Sequence, residues 1–163
     1  GSTLAAPDTS VKTAAPAGDY DFTTHGTAWV PELRTQFSSF TYRGWGAATR
    51  AKAAGSYWVH IPIPYPSRIA GSEMYIKYVQ FCAKSNNYTK AYPVHWDFYD
   101  RDGNNFYSSN ITWPSNNAYN CISHTFSPGV WQQDLGLSLL MTYQDTTTYF
   151  TLYKAWVRVN PAP

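Results

Sequence analysis

Charge is what this sequence has least of. Of its 163 residues only 13% are Asp, Glu, Lys or Arg, against about 25% in ordinary globular chains. The twelve basic residues are scattered and the net charge is +2. No run of them follows a phosphate backbone, which excludes nucleic acid as a partner. Long apolar runs are missing as well. The longest, Leu135 to Met141, is strand-sized and far below the ~20 residues of a membrane-spanning helix. No window sustains a 3.6-residue apolar period over three turns, and eleven prolines oppose helix formation. Catalytic signatures are absent too: there is no H-E-x-x-H, no C-x-x-C and no serine in a nucleophile elbow.

Aromatic and neutral polar side chains fill the gap. The chain has 14 Tyr, 8 Phe and 7 Trp, so aromatic residues outnumber charged ones. Such a composition suits half-buried strand faces. It also suits surfaces that meet sugars or other subunits, where a flat ring with a polar tip is ordered at low entropic cost.

Apolar alternation punctuated by turn chemistry marks the strands. Trp58 to Ile63 is apolar and β-branched and is stopped by Pro62, Pro64 and Pro66, which confine it to a strand edge or exit. Tyr75 to Cys82 follows. Val94, Trp96 and Phe98 alternate with His95, Asp97 and Tyr99. Asp102-Gly103 then turns the chain, and Asn104 to Tyr107 returns as a hairpin arm. Leu135, Leu137, Leu139 and Met141 give the strongest period-2 signal, opposite Gly136, Ser138, Leu140 and Thr142. Tyr149 to Val159 closes the chain. These elements predict an all-β fold, a single antiparallel β-sandwich of jelly-roll or immunoglobulin-like type. The predicted domain covers residues 19–163. Residues 1–18, rich in Ala, Pro, Thr and Ser, bury too little to offset their ordering entropy alone. If ordered, this tail borrows a sheet edge, its own or a neighbour's.

Two cysteines cannot hold a metal by themselves. Cys82 ends one strand-like run and Cys121 begins another. They are read as a disulfide on neighbouring strands, the alternative being two buried thiols. With little charge, a processed-looking Gly1-Ser2 start and two sequons, Asn87-Tyr88-Thr89 and Asn110-Ile111-Thr112, the predicted location is secreted and extracellular.

Three patterns carry candidate chemistry. Trp29, Trp45, Trp113 and Trp131 lie in turn-rich or polar surroundings, whereas Trp58, Trp96 and Trp156 lie in apolar strands and are expected in the core. Trp113, Tyr119 and Trp131, with Asn116 and Asn117, offer rings to stack on a sugar and amides to read its hydroxyls; a loop packed on its own aromatics is the alternative. Asp100, Asp102 and Asn104 form an oxygen-rich loop open to two readings, a calcium site or a hairpin turn stocked with Asx residues. Apart from that calcium, no cofactor is expected. His60, His95 and Asp97 sit on strands, and His95/Asp97 share a face as a base with its orienting carboxylate would. Histidines that set strand register by hydrogen bonding explain them as well.

The blocks His25-Gly26, Arg43-Gly44-Trp45-Gly46, Trp58-Val59-His60-Ile61-Pro62-Ile63-Pro64-Tyr65-Pro66 and Val94-His95-Trp96-Asp97 resemble a bacterial family of uncharacterised β-rich proteins with a W-x-H-x-x-I-P-x-P block. The chain departs from the pattern at Tyr65, where Thr is common, and at Asp100-Arg101-Asp102, which lengthens the segment before Gly103. The resemblance implies an all-β sandwich and no activity.

Function is read three ways. A secreted, non-catalytic binding module for carbohydrate comes first. A structural subunit of a self-assembling extracellular array, joined through residues 1–18, is second. A hydrolase using His95/Asp97 is third.

Overall fold

A computed structural model describes residues 17–163. Its strands are β1 (Tyr20–Thr24), β2 (Val30–Pro31), β3 (Phe37–Arg43), β4 (Gly46–Ala51), β5 (Gly55–Pro62), β6 (Arg68–Ile69), β7 (Ser72–Glu73), β8 (Tyr75–Ser85), β9 (Ala91–Tyr99), β10 (Asn105–Asn110), β11 (Asn120–Trp131), β12 (Gly136–Tyr143) and β13 (Phe150–Asn160). All pairings are antiparallel. One sheet runs β11-β8-β13-β4-β3, with β1 also on β13, and the other runs β10-β9-β12-β5-β2. Consecutive strands β4 and β5, β8 and β9, β10 and β11, and β12 and β13 lie in opposite sheets. This is a jelly roll and not an immunoglobulin order.

The period-2 pattern sets which side chains fill the space between the sheets. Leu135, Leu137, Leu139 and Met141 are buried from one sheet, and Val79, Phe81, Leu152, Val157 and Val159 from the other. The buried Thr49 and Tyr143 hydroxyls are partnered, as interiors require. The Tyr143 hydroxyl donates to Thr49 Oγ1, which donates to the Phe150 carbonyl at 2.7 Å, tying the sheets together. In β9 the alternation slips at a bulge: Ala91 and Pro93 are buried, Val94 is not, and the register shifts opposite Leu140/Met141.

Four tryptophans depart from the sequence reading. Trp29 is fully buried, because its indole N–H reaches the Tyr153 carbonyl at 2.7 Å and its ring meets the edge of Phe81. Trp113 turns inward against Phe150. Trp58 and Trp156, expected in the core, are half-buried on the outer faces of the two sheets. The alternation explains both, since Val59 and Ile61 take the core parity around Trp58, and Ala155 and Val157 take it around Trp156. Trp96 is in the core as expected.

Cys82 and Cys121 are direct partners in the β8–β11 register and form a disulfide, with Cα atoms 4.1 Å apart. No described helix is long and apolar enough to cross a membrane. The predicted assembly through residues 1–18 concerns a segment of which 1–16 lie outside the described residues.

Candidate functional site

The site begins with a change of partner along β13. Residues Phe150 to Leu152 pair with β4, and Ala155 to Val159 pair with β1 on the same edge. Between them the register shifts, leaving Tyr153 and Lys154 in a bulge. Bulges re-aim side chains out of the pleat, and here both residues line cavities on the outer face. Trp29 holds the bulge from below through the Tyr153 carbonyl. Two glycines let the neighbouring turns close in. A Cβ on Gly26 would lie 2.9 Å from the Gly46 Cα, and one on Gly46 would lie 2.1 Å from the Leu152 carbonyl oxygen. Only glycine fits either position.

This packing sets three rings side by side. Trp45, from the β3–β4 turn, is 5.8 Å from Tyr153, and Tyr119, just ahead of β11, is 4.9 Å from Tyr153. Trp45 and Tyr119 are each 48% exposed, unusual for rings of this size. With His25, Gly26 and Lys154 they line an open cavity of about 250 Å³. Partial burial and the neighbouring Tyr153 hydroxyl raise the pKa of the Tyr119 phenol.

Lys154 is also a wall of the adjoining cavity, about 320 Å³, lined by Asp21, Thr23, Gln80, Trp156 and Arg158. Here the side chains hold one another in place. Arg158 grips Asp21 through two hydrogen bonds of 2.8 and 3.0 Å and lies over the Trp156 ring. The Trp156 N–H donates to Gln80 at 2.7 Å, and Gln80 donates to the Tyr78 hydroxyl. Hydrogen bonding to Arg158 lowers the Asp21 pKa, and the same bond raises that of Arg158. Among the described residues Lys154 makes no ion pair. The two cavities lie side by side with Lys154 as their shared wall, so that aromatic rings border a furrow on either side of an ammonium that is unpaired among the described residues. Such a furrow suits a chain-like ligand with flat apolar faces and hydrogen-bonding edges.

Of the five ligand-binding residues expected from sequence, only Tyr119 belongs to this site. Trp113 packs on the core with its indole N–H buried and unpartnered among the described residues. Trp131 lies at the opposite end of β11 from Tyr119, where it donates to the Ser67 carbonyl and is covered by Arg68. Asn116 Oδ1 accepts from Ala118 N and Asn120 Nδ2, and Asn117 Oδ1 accepts from Tyr88 N, so both amide oxygens are engaged in holding the loop. Trp156 and Tyr153 were missed. The parity that puts Arg158 outside was the available signal for Trp156, whereas a bulge has no period to read.

Asp100, Asp102 and Asn104 form the β9–β10 turn. Asp100 Oδ1 accepts from the backbone N–H groups of Asp102 and Asn104, and Oδ2 accepts from the Asn104 amide. The carboxylate is occupied by its own loop, and no group of three His, Cys, Asp or Glu able to hold an ion occurs among the described residues. The donor set fits an Asx turn better than calcium.

His60, His95 and Asp97 lie on the outer face of the other sheet. His95 Nε2 bonds Asp97 Oδ1 at 2.9 Å and Nδ1 bonds Asn110 Oδ1 at 2.9 Å, so both nitrogens are engaged. Ser108 donates to Asp97 and not to His95. Among the described residues no serine or cysteine hydrogen-bonds this imidazole as a nucleophile would. The Asn110 bond, opposed by desolvation and joined by Asp97, raises the His95 pKa. Its stabilisation is therefore complete below the unfolded value of about 6.5 and fades as pH rises through the folded value. His95→Gln is expected to destabilise the protein measurably at about pH 5.5 and far less at about pH 9, read by urea unfolding at each pH. An equal loss at both would show that His95 acts by packing alone.

The sequence blocks divide between the two faces: His25-Gly26 and Trp45 in the furrow, and Trp58, His60, His95 and Asp97 opposite. No protein-family model matches the chain, and no curated protein matches it in sequence. Among solved structures, a xylan-binding module, CBM15, superposes with a TM-score of 0.51 at 12% identity, covering 88% of this chain and 97% of its own. The CBM36-1 domain of a multidomain xylanase from the hindgut metagenome of Trinervitermes trinervoides gives 0.49 at 8% identity, covering 85% and 96%. A family 29 carbohydrate-binding module from Piromyces equi gives 0.45 at 5% identity, covering 85% and 90%. At such identities the first likeness establishes the β-sandwich fold alone, and the other two add nothing to it.

Proposed function

We propose that this chain is a non-catalytic carbohydrate-binding module that lays a glycan segment along the furrow on its six-stranded sheet. One observation carries the reading: the exposed rings of Trp45 and Tyr119 flank Tyr153 on an open cavity that continues past Lys154 to Trp156. A sugar ring presents an apolar C–H face to an indole and its hydroxyls to the groups beside it. Here those groups are His25, Lys154, Thr23 and Asp21. The fold shared with a xylan-binding module supports the same class. The disulfide is consistent with an extracellular address.

Trp45→Ala and Tyr119→Ala are each expected to weaken binding by about 1–3 kcal/mol, the range for an aromatic anchor, with unchanged circular dichroism. Isothermal titration of the parent and both variants against xylohexaose, cellohexaose and mannohexaose measures this. Parent-like affinity in both variants would remove the furrow as the site.

A further inference from the structure

We propose that the outer face of the five-stranded sheet is a second glycan site, selective for neutral chains, so that the sandwich can cross-link two polysaccharide strands, one on each face. The second site stands on its own observations; the cross-linking rests also on the furrow reading above.

The registers of β5, β12, β9 and β10 place side chains in rows across this face. Trp58, Leu140, His95 and Asn110 form one row, and His60, Ser138, Asp97 and Ser108 the next. In the third, Gly136 lies between Pro62 and Tyr99. The centre of the second and third rows is thus Ser138 and Gly136, the two smallest outward residues of β12, flanked by large ones. A hollow follows directly from that order. It measures about 320 Å³ and is lined by Glu32, Trp58, His60, Tyr99 and Ser138.

The groups around the hollow are held in place, which lowers the entropic cost of binding. His60 is fixed by Ser138 at 2.7 Å and Glu32 at 3.3 Å. His95 stands edge-on to Trp58, with ring centres 6.2 Å apart, and is fixed by Asp97 and Asn110. Tyr99 leans on the same carboxylate through its hydroxyl. Glu32 Oε2 has no hydrogen-bond partner among the described residues, and the side chain is 52% exposed. It is a free acceptor at the rim, placed for a hydroxyl that sits over Trp58 or Tyr99.

Charge separates this face from the furrow. Glu32 and Asp97 have only histidines as ionic partners among the described residues, and neither Lys nor Arg lines the hollow. A uronic acid in the hollow would meet like charge from the Glu32 carboxylate at its rim. The furrow has Lys154 unpaired and Arg158 beside it. Neutral, hydroxyl-rich chains therefore suit the five-stranded face, and acidic substituents are tolerated only on the other.

The test compares the parent with Trp58→Ala, Glu32→Gln and Trp45→Ala, titrated with cellohexaose, xylohexaose and mannohexaose. Light scattering with hydroxyethylcellulose, soluble xylan and glucomannan reports cross-linking. Glu32→Gln removes the half-exposed carboxylate charge facing His60 while keeping the side chain's shape, and keeps the test valid should Trp58→Ala not fold. The expected result is a stoichiometry of two for the parent and a loss of about tenfold or more at one site in Trp58→Ala, with a smaller loss in Glu32→Gln. Scattering is expected to rise for the parent and to stay flat when either face is altered. A single site lost in Trp45→Ala and untouched by Trp58→Ala and Glu32→Gln would overturn the second site and leave the furrow standing. A single site lost in Trp58→Ala alone would uphold this face and overturn both the furrow and cross-linking. Absence of binding to every probe at millimolar concentration would overturn both sites.

Discussion

Replacing Cys82 and Cys121 together by serine is expected to lower the unfolding free energy by about 4 kcal/mol, the value the chain-entropy model assigns to a loop of this length. The two residues are 39 apart in sequence and directly paired across β8 and β11. Among the described residues β11 is an edge strand, bonded only to β8, so few contacts replace the link once it is gone. The loss is a large share of the 5–15 kcal/mol that holds a typical domain together. It should appear as a lower urea midpoint, and reduction of the parent should reproduce it. Tyr119 lies two residues before Cys121, so affinity for the hexasaccharide bound in the furrow is expected to fall as well, even where the protein is folded. A double variant with the parent's midpoint would mean that strand pairing alone fixes β11.

Trp29→Ala is the second large effect, expected to cost about 3–5 kcal/mol as a buried tryptophan truncation. The residue has 0% exposure and packs on Phe81. Its N–H supplies the partner of the Tyr153 carbonyl in the bulge, where β13 changes partner from β4 to β1. Tyr42 in turn donates to the Trp29 carbonyl at 2.8 Å. Removing the indole leaves a cavity, an unpaired carbonyl and a loosened bulge together. Trp29→Phe separates these effects: it keeps most of the volume, loses the donor, and should cost less stability while still weakening binding in the furrow. Unfolding curves and titrations on the same two variants provide the check. If Trp29→Phe binds as the parent does, the bulge holds Tyr153 without help.

The outward placement of Trp58 and Trp156 shows how a strong compositional signal can mislead. Both lie in apolar strands, and hydrophobicity alone sends them inside. Parity sends them out, because Val59 and Ile61 on one strand, and Ala155 and Val157 on the other, already occupy the core positions. A strand offers only every second residue to the core, and on these two strands the inward positions are held by Val59, Ile61, Ala155 and Val157. The two indoles fall on the outward parity, where they are half-exposed and available for contact.

Some properties of this protein follow from sequence alone, since they depend on near neighbours. The alternation of Leu135 to Met141 made a half-buried strand, the Asp102-Gly103 turn made a hairpin, and the low charge with many aromatics made a β-sandwich. The spacing and strand context of Cys82 and Cys121 brought them together. The site depended on what is distant in the chain. Tyr153 and Lys154 point outward because β1 and β4, more than a hundred residues earlier, share one edge of β13. Trp29 is buried because the chain folds back beneath that junction, and Trp45 reaches Tyr153 because two glycines allow backbones to touch. No local pattern encodes these contacts; they arise when strand pairing closes loops of a hundred residues and the bulge absorbs the mismatch between two partners.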